Sequence, residues 1–225
     1  MLWAMLIVLT LVVCALLAVA LLVQHQRYHD QVVVQRLLEA WQWAGHQYGL
    51  TFFQRRSDRP VHPTEGDLRL RGELAGTTID LRARLASPTW TRAELQLHPP
   101  LPIALEVVCE GQLELLVEAH HRFEGVGDEG FDPYFLMASD DITRAYTLLT
   151  PETRAGLGEL HQLARCVRLT HERLVVESPH VLEEGRQLER WIDALLDVAQ
   201  ALSQARHREA AQFVAAPAVV VTEQV

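Results

Sequence analysis

Residues 68–85 read LRLRGELAGTTIDLRARL and carry the clearest structural pattern of the chain. Leucine alternates with arginine from Leu68 to Arg71, and apolar residues alternate with charged ones again from Ile79 to Leu85. Successive side chains of a strand point to opposite faces, so this alternation predicts two strands with one buried and one wet face. Gly76 lies between them and suits a tight turn. The stretch therefore predicts an antiparallel hairpin.

Further strand patterns follow on the C-terminal side of this hairpin. They lie at residues 90–98, 103–109, 112–119 and 134–138, and two short β-rich runs at 167–170 and 173–177 form another hairpin. Most of the connections are short, including the Pro-rich turn at residues 98–102. We therefore predict an antiparallel meander of five or six strands.

Helical patterns dominate the chain after the last strand of this meander. Ser139 or Asp140 is expected to cap a short helix, and Thr150-Pro151 has the cap and first-turn proline that open the next one. A long amphipathic helix at about 183–207 carries one continuous apolar stripe. Packing this stripe on the sheet gives the predicted fold class, α+β, with the antiparallel β-meander packed against C-terminal helices.

An apolar run precedes the domain. Residues 1–23 contain no charged side chain, and at 1.5 Å per residue they span roughly 30 Å of hydrocarbon. The sequence Ala18-Val19-Ala20 also fits a cleavable signal peptide, but the run lacks a basic n-region and its apolar part is too long. We therefore predict an uncleaved transmembrane helix that contacts the lipid bilayer.

The chain then divides into a few further segments. We predict a juxtamembrane helix at 24–49, a connecting loop at 50–67, the α+β domain at 68–208 and a C-terminal tail at 209–225. Arg27 and Arg36 follow the apolar run, whereas no basic residue precedes it. By the positive-inside rule this predicts a single-pass protein of the cell inner membrane with a cytoplasmic domain. The apolar face of the juxtamembrane helix would pack on the domain or form a homodimer, and both alternatives stay open.

The charge balance excludes some partners. The formal net charge is −9, and all twenty basic residues are arginine. A nucleic acid or an anionic membrane surface would be repelled by this net charge, and no basic stripe offsets it. We therefore expect no nucleic-acid partner.

Two histidine pairs have spacings that deserve a test as metal ligands. His25 and His29 are four residues apart, and His120-His121 precede the acidic loop with Glu124, Asp128, Glu129 and Asp132. Zinc sites need a third spaced ligand, and neighbouring residues of a strand such as His120 and His121 point to opposite faces. The acidic loop also lacks the alternation of a calcium loop. The sequence therefore predicts no metal site and no cofactor.

Neither the cysteines nor any sequence motif indicates a catalytic residue. Cys109 and Cys166 fall on predicted strands, where we favour two buried thiols over one disulfide, which would require an exported domain. The chain has neither the Gly-x-Ser-x-Gly motif of hydrolases nor a glycine-rich nucleotide-binding motif. No residue is therefore predicted to be catalytic.

One segment carries a resemblance. Residues 131–141 read FDPYFLMASDD and are followed by Leu148-Leu149-Thr150-Pro151-Glu152. This strand, capped helix and Thr-Pro restart, together with the pattern of residues 70–76, resembles uncharacterised bacterial single-pass membrane-anchored proteins. The resemblance covers residues 41–202 and implies an anchored sheet domain. It implies no activity, cofactor or catalytic residue.

Two functions are compatible with these patterns. The anchor and the lack of a catalytic pattern favour a membrane-tethered, non-catalytic binding or scaffolding domain for an unknown protein partner or small ligand. The alternative is a membrane-bound hydrolase or metal-dependent enzyme that uses His120, His121, Asp128 and Asp132.

Overall fold

The computed structural model describes residues 2–56, 66–109 and 123–215, with the side chains of α1 and the end of α4 described only in part. The helices are α1 (Leu2–Tyr48), α2 (Ile142–Leu148), α3 (Pro151–Leu163) and α4 (Gly185–Ala215). The strands are β1 (Thr51–Arg56), β2 (Gly66–Leu74), β3 (Thr77–Arg84), β4 (Trp90–Gln96), β5 (Leu105–Cys109), β6 (Phe123–Glu124), β7 (Phe135–Ser139), β8 (Cys166–Thr170) and β9 (Arg173–Ser178). The predicted α+β class is confirmed.

The described strands form one antiparallel sheet in the order β1-β2-β3-β4-β9-β8-β5-β7-β6. The predicted hairpins β2–β3 and β8–β9 are present, and β1 to β4 form a meander. The meander does not continue to β5, however, because the β8–β9 hairpin lies between β4 and β5. Leu97, just before the Pro-rich turn, and Leu101 within it donate backbone hydrogen bonds of 2.8 and 2.7 Å to the carbonyls of Glu172 and His171 at the tip of this hairpin. The turn therefore leads the chain past the hairpin.

Two predicted boundaries are wrong. The predicted loop at 50–67 contains β1, because Phe52 packs against the core opposite Leu70. The predicted tail at 209–225 begins inside α4, which runs on to Ala215. The apolar stripe of α4 continues through Ala205, and the next turn is secured by an ion pair from Glu209 to Arg144. The predicted strand at 112–119 lies outside the described residues.

The cap of α2 also differs from the prediction. Asp141, rather than Ser139 or Asp140, accepts the backbone N–H of Arg144 at 3.1 Å. For α3 the predicted cap is confirmed, since the Thr150 hydroxyl accepts the backbone N–H of Thr153 and Pro151 is the first helical residue.

Helix α1 joins the predicted transmembrane and juxtamembrane helices without a break. Most side chains of the predicted span at 1–23 lie outside those that the structure describes. Among the described residues, no helix has a stretch long and apolar enough to cross a membrane. The structure therefore gives the predicted transmembrane helix no support.

The C-terminal part of α1 packs on the domain. Leu37, Trp41 and Ala44 are buried there. The Trp41 indole N–H donates to the carbonyl of Leu182 at 3.0 Å, and the Tyr48 hydroxyl donates to the Asp193 carboxylate at 2.7 Å. Packing on the domain, one of the two open alternatives, is confirmed. A homodimer through α1 stays a prediction, and it would need another face of the helix.

The two faces of the sheet differ as the alternation predicted. The inner face is apolar and carries the C-terminal half of α1 together with α3 and α4. On the outer face, Asp80 accepts hydrogen bonds from Arg69 at 2.7 Å and from Arg82 at 2.6 Å. Burial acts to raise the pKa of Asp80, but these hydrogen bonds outweigh it and hold the pKa below its usual value. The wet face is thus an ion-paired surface.

Candidate functional site

The acidic loop that the alternative function depends on is held together by its own carboxylates. Asp132 accepts the backbone N–H groups of Val126, Gly127 and Asp128 at 2.8, 2.9 and 3.1 Å. A side chain at Gly125 would collide with this carboxylate, because a Cβ atom there would lie 2.6 Å from it. Asp132 therefore acts as a structural group that closes the loop.

Asp128 links the same loop to a helix. One of its oxygens accepts the backbone N–H of Gly130 at 2.9 Å, and the other forms an ion pair with Arg154 of α3 at 2.8 Å. His120 and His121 lie outside the described residues. Across the ranges that the structure describes, no group of three His, Cys, Asp or Glu residues is arranged to hold a metal ion. Among the described residues of this loop, the structure therefore brings no catalytic set together.

A different feature stands out as a site, a cleft of about 860 Å³. It lies at the ends of β4, β5, β8 and β9, where α3 ends and the chain turns into β7. This volume is in the range of small-molecule sites, roughly 300–1,000 Å³. The exposed Tyr134 and the half-buried Trp90 supply aromatic walls. We name this feature the sheet-end cleft.

A cysteine and a histidine meet on one side of the sheet-end cleft. The Cys109 sulfur lies 3.3 Å from Nδ1 of His161 and also accepts the backbone N–H of Val167 at 3.3 Å. The rings of Tyr134 and Phe135 lie next to the imidazole, each with its centroid 5.4 Å away. The pair has the residue types of a cysteine nucleophile with its base.

The raised pKa of the Cys109 thiol argues against a role as a nucleophile. Burial raises the pKa of Cys109 to about 11, and the hydrogen bond from Val167 only partly offsets this effect. Activated cysteines have a lowered pKa, because the thiolate is the reactive form. At neutral pH Cys109 is therefore a protonated thiol that packs and donates, as predicted for a buried cysteine.

Cys166 also lines the cleft but does not pair with Cys109. Both residues are buried, and no disulfide joins them in the described chain. The register of β5 against β8 places Cys109 beside Val167. Cys166 precedes Val167 on β8, and both cysteines line the cleft as separate thiols. The geometry thus favours the two buried thiols.

The charges of the cleft are unevenly paired. Arg92 forms ion pairs with Glu177 at 3.0 Å and with Glu94 at 3.7 Å. Arg165 is exposed at the rim, and its backbone N–H donates to the carbonyl of Glu177. Its guanidinium has no ion-pair or hydrogen-bond partner among the residues that the structure describes. Counted over the described lining residues, the cleft therefore presents one positive charge without an ion-pair partner.

Comparison with known proteins gives a fold relationship and nothing closer. No protein-family model matches the chain, and no curated protein is significantly similar to it. The crystal structure of the mycobacterial trehalose monomycolate transport factor A, TtfA, is similar, with a TM-score of 0.50 over 74% of this chain and 94% of that chain. The two sequences are 13% identical. This likeness shows the α+β fold alone.

Proposed function

We propose that this protein is a single-pass inner-membrane protein whose cytoplasmic domain binds a small ligand in the sheet-end cleft without transforming it. The observation that carries the proposal is the cleft itself, a concave site of about 860 Å³ with aromatic walls and a few polar groups. Concave sites of this size commonly bind small ligands, and the lining of this cleft combines apolar and polar surface in similar amounts.

The membrane tether is argued from the sequence, and the exposure of the described α1 side chains is compatible with it. Residues 1–23 carry no charge, and the helix that includes them runs on into the domain. Leu17, Leu21 and Leu22 are 58, 66 and 67% exposed, so the domain does not cover them. Exposed leucines on a charge-free helix are suited to lipid.

The condition of the reactive groups supports binding over catalysis. The pKa of Cys109 is raised rather than lowered, and both Asp128 and Asp132 are occupied by backbone N–H groups or by Arg154. The solved structure with a similar fold is named as a transport factor, a role that is compatible with a membrane-associated protein.

The proposal is tested with the full-length protein in lipid nanodiscs and a library of small metabolites. A ligand present at a hundredfold excess over its Kd stabilises the folded state by about 2.7 kcal/mol, which is visible as a rise in Tm. We expect such ligands to lose their effect in Trp90→Ala and Tyr134→Ala. The same ligands should still stabilise Phe53→Ala, because Phe53 is an aromatic residue on β1, as exposed as Tyr134, that lies outside the cleft. Chemical turnover of a library compound, or hits insensitive to both cleft variants, would overturn the proposal.

A further inference from the structure

The polar side chains of the sheet-end cleft are biased toward donors. The Trp90 indole N–H and the Arg165 guanidinium have no hydrogen-bond partner within the described residues, and neither group can accept a hydrogen bond. The Tyr134 hydroxyl likewise makes no hydrogen bond there. Glu177, the one carboxylate among the described lining residues, is engaged by Arg92. A ligand that replaces water at these groups would engage them best with hydrogen-bond acceptors.

The formal charges of the lining residues also favour an anionic ligand. Among the described lining residues, the formal charges are Arg92 and Arg165 against Glu177, and the ion pair of Arg92 with Glu177 leaves Arg165 uncompensated. A guanidinium presents a planar fork of donors that matches carboxylate and phosphate oxygens. This part of the cleft therefore fits a compact anionic group, although the chain as a whole has a net charge of −9.

The rest of the cleft is suited to an apolar body. Pro133 and Tyr134 lie on one side and Trp90 and Pro179 contribute the strand ends, with the buried thiol of Cys109 at its inner part. Aromatic rings bury large apolar areas and stack on flat or aliphatic groups. The cleft thus pairs one anion-binding corner with apolar walls.

We propose that the ligand of the sheet-end cleft is an amphipathic anion, with a carboxylate or phosphate group held by Arg165 and an apolar body packed against Trp90 and Tyr134. This inference rests on the proposed function and names the chemical class of its ligand. The anionic group could belong to a soluble metabolite or to a lipid head group, and the test below distinguishes these sources.

The test compares two probes that differ only in the terminal group, the carboxylate of dansylglycine and the neutral amide of dansylglycinamide. Both are titrated against the full-length protein in neutral phosphatidylcholine nanodiscs, with empty nanodiscs subtracted, and binding is measured by energy transfer from tryptophan to dansyl. We expect dansylglycine to bind at least fivefold more tightly than the amide. Arg165→Gln should remove this difference in affinity, because it weakens the binding of dansylglycine and leaves that of the amide unchanged. Arg71→Gln, on the exposed outer face of β2 and outside the cleft, should leave it unchanged.

The outcomes separate the ligand class from the site. In one outcome the two probes bind equally, Arg165→Gln has no effect on either affinity, and Tyr134→Ala weakens the binding of both. The ligand is then not an anion, but the cleft remains a binding site. If neither probe binds up to millimolar concentration, or Tyr134→Ala changes nothing, both proposals fail. When the expected pattern holds, phosphatidylglycerol nanodiscs identify the source: competition with dansylglycine indicates a lipid head group, and its absence indicates a soluble anion.

Discussion

Cys109 shows how burial sets the chemistry of a single residue. Its pKa is raised from 9.0 to about 11, chiefly by burial. As the pH rises above 9, the unfolded chain therefore loses this proton while the folded chain still holds it. The folded state is then penalised, so the stability that Cys109 contributes is complete below pH 9 and is lost between pH 9 and 11.

This linkage gives a measurable pH dependence. Between pH 8.5 and 10.5 we expect the free energy of unfolding of the wild-type protein to fall by about 2 kcal/mol more than that of Cys109→Ala. Urea denaturation of both proteins in nanodiscs measures the difference, and other alkaline titrations, such as that of Tyr48, cancel in the comparison. Parallel pH profiles for the two proteins would show that Cys109 has an ordinary acidity.

Two glycines of α3 look alike in the sequence but differ at the scale of helix packing. A Cβ atom at Gly156 would lie 2.7 Å from a methyl group of Val198 on α4, whereas a Cβ atom at Gly158 would meet nothing within 4 Å. Val198 is buried and β-branched, so its methyl group has little freedom to move aside. Gly156 therefore permits the close approach of α3 and α4.

Alanine substitutions at these two positions should act in opposite directions. We expect Gly158→Ala to stabilise the protein by about 0.5–1 kcal/mol, since alanine favours a helix over glycine. Gly156→Ala gains the same propensity but overpacks the helix interface, and we expect a net loss of about 1 kcal/mol. Urea denaturation of the two variants compares them directly. A stabilising Gly156→Ala would show that the two helices can separate without cost.

The elements that the sequence predicts are those with a local signal. The alternation at 68–85 predicts β2 and β3, and Thr150-Pro151 predicts the start of α3. The insertion of β8–β9 between β4 and β5 has no such signal, because strand order is a long-range property. β1 is missed because its two phenylalanines stand next to polar and arginine residues that also suit a loop.

The candidate site could not be predicted from the sequence either, because it also depends on long-range packing. Cys109 and His161 are 52 residues apart and meet only through the packing of α3 on the sheet. The sequence patterns assign Cys109, Cys166 and Tyr134 to strands, and the two cysteines to buried thiols. No pattern indicates that the three residues line one cleft. The acidic loop attracts attention by composition alone, and its two best-placed carboxylates prove to hold backbone N–H groups.

At the scale of the whole molecule, Trp41 joins the long helix to the domain. Its ring is fully buried and its indole N–H is bonded to Leu182. Trp41→Ala should cost about 3–5 kcal/mol and release α1 from the domain. We expect trypsin to cut after the exposed Arg36 much faster in this variant, because the released helix frays. Gln42→Ala, at an exposed position of the same helix, serves as the control. Equal cleavage rates would mean that Trp41 does not hold the joint.

The side of the membrane on which the domain lies can be tested directly. Residues 24–36 extend roughly 20 Å beyond the packed part of α1, so the proposed tether would hold the domain clear of the bilayer on one side. Arg71 is exposed on β2, whereas Cys109 and Cys166 are buried, and Cys14 is common to the variant and the wild-type control, so Arg71→Cys adds one accessible thiol. For a cytoplasmic domain, we expect an impermeant maleimide to label this variant only after the cells are opened, with wild-type protein as the control. Labelling of intact cells would place the domain outside the inner membrane. In that case Arg27 and Arg36 would not set the orientation, and the ligand of the cleft would have to be sought in the cell envelope.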